Sequence, residues 1–253
     1  MPEPGLTSFA LLAVGVLFAA FTQGFSGFGL GILVMATLTW YVPDAERLSV
    51  IATLTGLITM VTLMTAERGR ARIDWRGVAW LFGGVLLGMP LGYFLVLKTG
   101  DQPIFPLTLG GVLLLFAING LCRPRLRRLP EWAGVPMGVL SGFISGGFAS
   151  GGPPLVLYLY AREADPRMAK RSLQVIFILA VFIRLSWVEG AGPGLTQEIL
   201  AWSAGLGVCA LLGSLTGNRL SRRVRPRRFT QAVYVLIGLG GLLNIAHVAI
   251  ALR

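Results

Sequence analysis

Charged residues are clustered along this chain, and long uncharged apolar runs separate the clusters. The first run extends from Gly5 to Pro43. A membrane-crossing helix takes about 20 apolar residues, so this stretch predicts two helical segments joined at the glycine-rich Gly24–Gly31. Leu48–Ala66, Gly77–Leu97 and Gln102–Cys122 are each close to one span. Trp132–Ala161 is again too long for one helix and is interrupted at Gly146–Pro154. Three further spans are predicted over Ser172–Val188, Ile199–Asn218 and Phe229–Leu252. A broken pair plus three spans therefore occurs twice. The expected architecture is an all-α polytopic membrane protein of two repeats, residues 1–122 and 123–253.

Both breaks carry one phrase. Residues 24–34 read GFSGFGLGILV and residues 147–157 read GFASGGPPLVL, with three of the eleven aligned positions identical. Paired interruptions in corresponding halves point to a substrate site in secondary transporters.

Charge orients the halves. Most of the 22 Lys and Arg residues lie in four loops, Arg68–Arg76, Arg123–Arg128, Arg162–Arg171 and Arg219–Arg228. The positive-inside rule makes these loops cytoplasmic. The first broken pair then starts and ends outside, and the second starts and ends inside. The two repeats are expected to be inverted, with both chain ends outside the cytoplasm. No Lys or Arg precedes the first apolar run, so a cleavable signal peptide is not expected.

Composition agrees with that picture. The chain is 55% hydrophobic and 13% charged, against about 25% charged in soluble domains. Its net charge of +11 reads as topology and contact with anionic lipid headgroups, not as nucleic-acid binding. Cys122 and Cys209 lie in or at the end of apolar runs, without disulfide or metal-ligand spacing. No nucleophile–base set is present, so neither an enzyme nor a cofactor is expected.

The candidate chemistry lies at the breaks. Non-helical backbone persists at membrane depth only where protein or a watery cavity covers it. Gly24, Gly27, Gly29 and Gly31 weaken the first helix, and Gly151, Gly152, Pro153 and Pro154 the second. The following half-helices are expected to begin near Leu30 and near Leu155. Their unpaired N-terminal amides carry partial positive charge and suit an anion near the midplane. Ser26 and Ser150 would add hydroxyl donors and Gln23 an amide. Taken singly, each glycine reads as close helix packing and each serine as a backbone bond; recurrence of the break in opposed halves favours a site.

Arg184, in VFIRLSW, either turns inward to pair with an anion or snorkels to the outer interface. Gln174, Asn119, Asn244 and the series Thr53, Thr55, Thr59 and Thr62 are expected to form interhelical hydrogen bonds, and His247 to sit at the interface. No Asp or Glu falls mid-span, so no carboxylate relay for a coupling proton or sodium ion is visible.

The phrases QGFSGFGLG and SGGFASGGPPLVLY resemble those of the TauE/SafE sulfite-exporter family, within the toluene-sulfonate uptake permease superfamily. The resemblance covers the whole chain. It implies a bacterial inner-membrane transporter for a sulfur-containing anion: sulfite, sulfoacetate, another organosulfonate or thiosulfate. It carries over to Gln23, Gly24, Gly27 and Gly29, and to Gly146, Gly147, Gly151, Gly152 and Pro153. Ala149 stands where the first phrase has Ser26, so the half-sites are not equivalent. A transporter of another anion, such as a carboxylate, a channel or a non-transport membrane subunit remain the rival readings.

Overall fold

The computed structural model describes residues 6–38, 45–66, 72–99, 104–122, 129–149, 151–163, 165–192, 194–224 and 226–251. Those residues form helices and short connections, with no strand among them. The helices are α1 (Leu6–Ser26), α2 (Leu30–Leu38), α3 (Ala45–Ala66), α4 (Trp75–Thr99), α5 (Ile104–Cys122), α6 (Gly134–Phe148), α7 (Gly152–Arg162), α8 (Pro166–Ala191), α9 (Gln197–Ser221) and α10 (Pro226–Ala251). A 3-10 turn, Glu131–Ala133, leads into α6.

The chain is a multi-pass membrane protein. Among the described residues, α1, α3, α4, α8 and α9 are long and apolar enough to cross a bilayer. By contrast, α2, α6 and α7 have 9, 15 and 11 residues. At a rise of 1.5 Å per residue they reach about 14, 22 and 16 Å, short of the ~30 Å hydrocarbon core. These three short helices flank the two interruptions.

The chain forms two compact units, residues 1–71 with 174–223, and residues 72–173 with 224–253. Each unit draws on both sequence halves. In the first unit, α9 packs along α1 and α3, and α2 lies against α1 and α3. Phe9 meets Trp202 at 5.7 Å between ring centroids, and further along Gly217 lies over the Phe21 carbonyl, so α1 and α9 run parallel. In the second unit, α4 packs on α6, α5 on α10 and α7 on α6.

Small residues build these contacts. In α4, Gly84, Gly88 and Gly92 repeat every fourth residue and abut the backbone of Val135, Val139 and Phe143. A Cβ at any of the three would strike a facing carbonyl. Close approach of this kind holds membrane helices together where lipid supplies no hydrophobic drive. The opposite face of α4 carries exposed Leu86, Leu87, Leu91, Phe94 and Leu95, apolar surface suited to lipid.

Candidate functional site

The α1–α2 interruption is three residues long. Gly27 has φ +88° and Gly29 φ +110°, a region glycine enters without the steric cost other residues meet. The Gly27 N–H still donates to the Gln23 carbonyl at 2.7 Å. The Ser26 hydroxyl lies 2.7 Å from both the Thr22 and the Phe28 carbonyl oxygens, and accepts from the Phe28 N–H at 3.3 Å. Ser26 therefore closes backbone bonds that the break would leave open. The Leu33 N–H donates to the Gly29 carbonyl at 3.0 Å, which starts the α2 ladder. The amides of Leu30, Gly31 and Ile32 precede it and have no acceptor within the helix.

Residues 22–28 are all buried. Gln23 is 3% exposed, and its Nε2 finds no partner among the described residues. Gly24 lies within α1, where a Cβ would strike the Ser214 carbonyl of α9. The structure thus gives Gly24 a packing task.

The second interruption has different chemistry. Helix α6 ends in a left-handed residue that is not glycine: Ala149 has φ 54° and ψ 26°, and its N–H donates to the Ser145 carbonyl. Gly151 precedes α7, and its carbonyl accepts from the Ser141 hydroxyl. A Cβ on Gly151 would press on Ser141 and Ser145 of α6, so the interruption is seated on its own hairpin. Gly146 and Gly147 belong to α6. Ser150 lies outside the described residues.

Helix α7 begins at Gly152, three residues before the start expected near Leu155. Pro153 and Pro154 fall in its first turn, where a missing N–H breaks no helical bond. Of its first three residues only Gly152 carries an amide proton. The N-terminus of α7 therefore offers fewer donors than that of α2, and the half-sites are unequal in backbone as well as in side chains.

The α6–α7 pair returns to the end from which it starts. The Tyr158 hydroxyl donates to the Glu131 carbonyl at 3.1 Å. Arg162 pairs through Nη2 with Glu131 Oε1 at 3.0 Å and through Nε with Asp74 Oδ2 at 2.7 Å. Asp74 also accepts from the Gly77 N–H at 3.0 Å, and its own N–H donates to the Ser172 hydroxyl at 3.0 Å. α6 and α7 thus form a helical hairpin whose two ends meet at one base.

Two carboxyls at this base are shifted in opposite directions. Burial disfavours the Asp74 carboxylate, but the Gly77 amide and the Arg162 guanidinium outweigh it and hold the group below its ordinary range. Glu163 is pushed upward by burial and by its hydrogen-bonded neighbour Asp74. This cluster is not among the residues that stand out in the sequence. Its one legible signal was the spacing of Asp74 and Gly77, a carboxylate placed to cap a helix.

Arg184 is 3% exposed. Its guanidinium donates to Thr53 Oγ1 at 2.6 Å, to Ser49 Oγ at 2.9 Å and to the Ser49 carbonyl at 3.3 Å. It is turned into the protein and ties α8 to α3. Thr53, Thr55, Thr59 and Thr62 do not bridge helices through their own protons. Each donates at 2.7 Å to a carbonyl three or four residues back in α3, the local alternative open to helical threonines. Gln174 also departs from expectation: it is fully buried, and neither its Nε2 nor its Oε1 has a partner among the described residues. The side chains of Asn119, Asn244 and His247 lie outside the described set.

Comparison with known proteins supplies a family. The family model described as "Sulfite exporter TauE/SafE" matches residues 11–243. The chain is 27% identical over 250 residues to the "Probable sulfite/organosulfonate exporter TauE" of Cupriavidus necator, covering 95% of this chain and 93% of that protein. It is 25% identical over 180 residues to the "Probable inner membrane transporter protein TsaS" of Comamonas testosteroni, covering 70% of this chain and 74% of that one. No solved structure matches.

Proposed function

From the premise that this chain belongs to the TauE/SafE sulfite exporter family and is a membrane transporter, we propose that it carries sulfite or an organosulfonate anion across the bacterial inner membrane, with the anion bound at the α1–α2 interruption. The observation that carries this reading is the break itself: three first-turn amides of α2, and one turn before the break a buried glutamine with an open Nε2. Sulfur oxyanions present several acceptor oxygens to such donors. A hydrogen bond to a charged group contributes about 1.5–3 kcal/mol, so two or three give about 3–9 kcal/mol, in the millimolar to sub-micromolar range. A transporter needs that range, because it must also release its cargo.

Transport proceeds by alternating access between inverted repeats, with both termini in the periplasm and the four arginine-rich loops in the cytoplasm. The packing supports the repeat. The first helix of half one, α1, lies along α9, the fourth helix of half two; the first helix of half two, α6, lies along α4, the fourth helix of half one. Arg184 holds α3 and α8 in register. The α6–α7 hairpin, with Gly147, Ser150, Gly151, Gly152 and Pro153, is the second and weaker candidate for anion contact.

A backbone substitution tests the α2 amides. Gly31→Pro removes one first-turn N–H at the position that Pro153 occupies in α7. The variant is expected to keep its melting temperature within a few degrees, while its affinity for sulfite and sulfoacetate, read by ligand-induced thermal shift, falls about tenfold. Unchanged affinity in a well-folded Gly31→Pro protein would place the anion elsewhere.

A further inference from the structure

The Gln174 amide is fully buried, yet its two N–H donors and its carbonyl acceptor have no partner among the described residues. Burying such a group without hydrogen bonds is costly. Native proteins leave few buried polar groups unsatisfied, and each one calls for an explanation. Swapping the amide oxygen and nitrogen changes nothing here, since neither atom has a partner.

The same unit holds the open Gln23 Nε2 on α1, on a residue 3% exposed. Both amides belong to the unit that contains the α1–α2 interruption. Thr53, Thr55 and Thr59 of that unit bond their own helix, and Ser26 closes the break.

We propose that Gln174 is a substrate contact, and that it selects an oxyanion which also carries its own hydrogen-bond donor. This rests on the transport reading above. Nε2 donates to an S–O oxygen, and Oε1 accepts from an O–H or N–H of the same ligand. A plain sulfonate has only acceptors and leaves Oε1 open, whereas hydrogensulfite or a hydroxyl-bearing sulfonate fills both. A site built to bond a ligand hydroxyl rejects the analogue lacking it more strongly than an apolar pocket rejects an added group.

The test uses a matched pair of probes, 2-hydroxyethanesulfonate and ethanesulfonate, in counterflow with the full-length protein in proteoliposomes. Wild type is expected to show a KM about tenfold or more lower for the hydroxylated anion. Gln174→Met, close in length and without polar atoms able to replace the amide, is expected to erase that preference while melting at the same or a higher temperature without ligand. Rising stability together with lost selectivity is what a merely structural amide would not give. Equal KM values for the two anions in wild type overturn the proposal, as does a preference that survives in Gln174→Met. A Gln174→Met protein that melts lower and slows both anions equally also overturns it, and assigns the amide to a structural water. Should Gln174→Met not fold, the wild-type preference and its loss in Gln174→Leu decide the matter in the same way. Wild type that exchanges no sulfur anion at all defeats the transport reading, and this proposal with it; exchange without discrimination defeats this proposal alone.

Discussion

Ala149 is held in the left-handed region at φ 54°, where a non-glycine residue costs about 1–2 kcal/mol. Glycine would relieve that strain and lose about 0.5–1 kcal/mol to the entropy of the unfolded chain. Ala149→Gly is therefore expected to stabilise the protein by up to about 1 kcal/mol, read as a melting temperature a few degrees higher in detergent. A lower melting temperature would show that the alanine methyl makes contacts worth more than the strain. No rule of sequence marks this alanine. The glycines and prolines around it draw attention to Gly151–Pro154, while the turn itself depends on how α6 ends against Ser145. Gln174 was illegible for a related reason. A glutamine within an apolar run is visible, but whether its amide meets a partner depends on packing. Gly27 and Gly29 could be read directly, because two glycines flanking one phenylalanine inside a span have few other uses.

At the scale of the element, the spans were legible because uncharged length is a strong signal: the predicted Leu48–Ala66 is α3 but for three residues. The starts of half-helices were less legible, since proline reads as a breaker until its place in a first turn is known; hence α7 at Gly152 and not Leu155. The α6–α7 hairpin is anchored by charge at its base, and its response to pH has two limbs. Asp74 has a lowered folded pKa, so its contribution is present above its unfolded value and is lost as pH falls through the folded one. Glu163 has a raised folded pKa, so its contribution is present below its unfolded value and is lost as pH rises through the folded one. Asp74→Asn is expected to destabilise at neutral pH by about 2–3 kcal/mol and to weaken the acid limb. Glu163→Gln is expected to raise the melting temperature at neutral pH and to flatten the other limb. Melting curves of both variants from pH 4 to pH 8 check the signs. A Glu163→Gln protein that melts lower than wild type at neutral pH would contradict the assignment.

At the scale of the molecule, the all-helical membrane fold follows from composition and run length, and the family from the two glycine phrases. The grouping of helices into compact units does not. Glycine faces that bring α1 onto α9 and α4 onto α6 draw each unit from both halves of the chain, and nothing in the linear order says which helix a given glycine stripe will meet. Charge counting orients the helices without pairing them. The cargo is what distinguishes this transporter from its rivals. Proteoliposomes loaded with sulfoacetate and challenged outside with sulfite, thiosulfate, taurine, acetate or succinate measure it by counterflow. Saturable exchange is expected with the sulfur oxyanions and little with the carboxylates. Exchange confined to acetate and succinate would contradict the sulfur-anion reading.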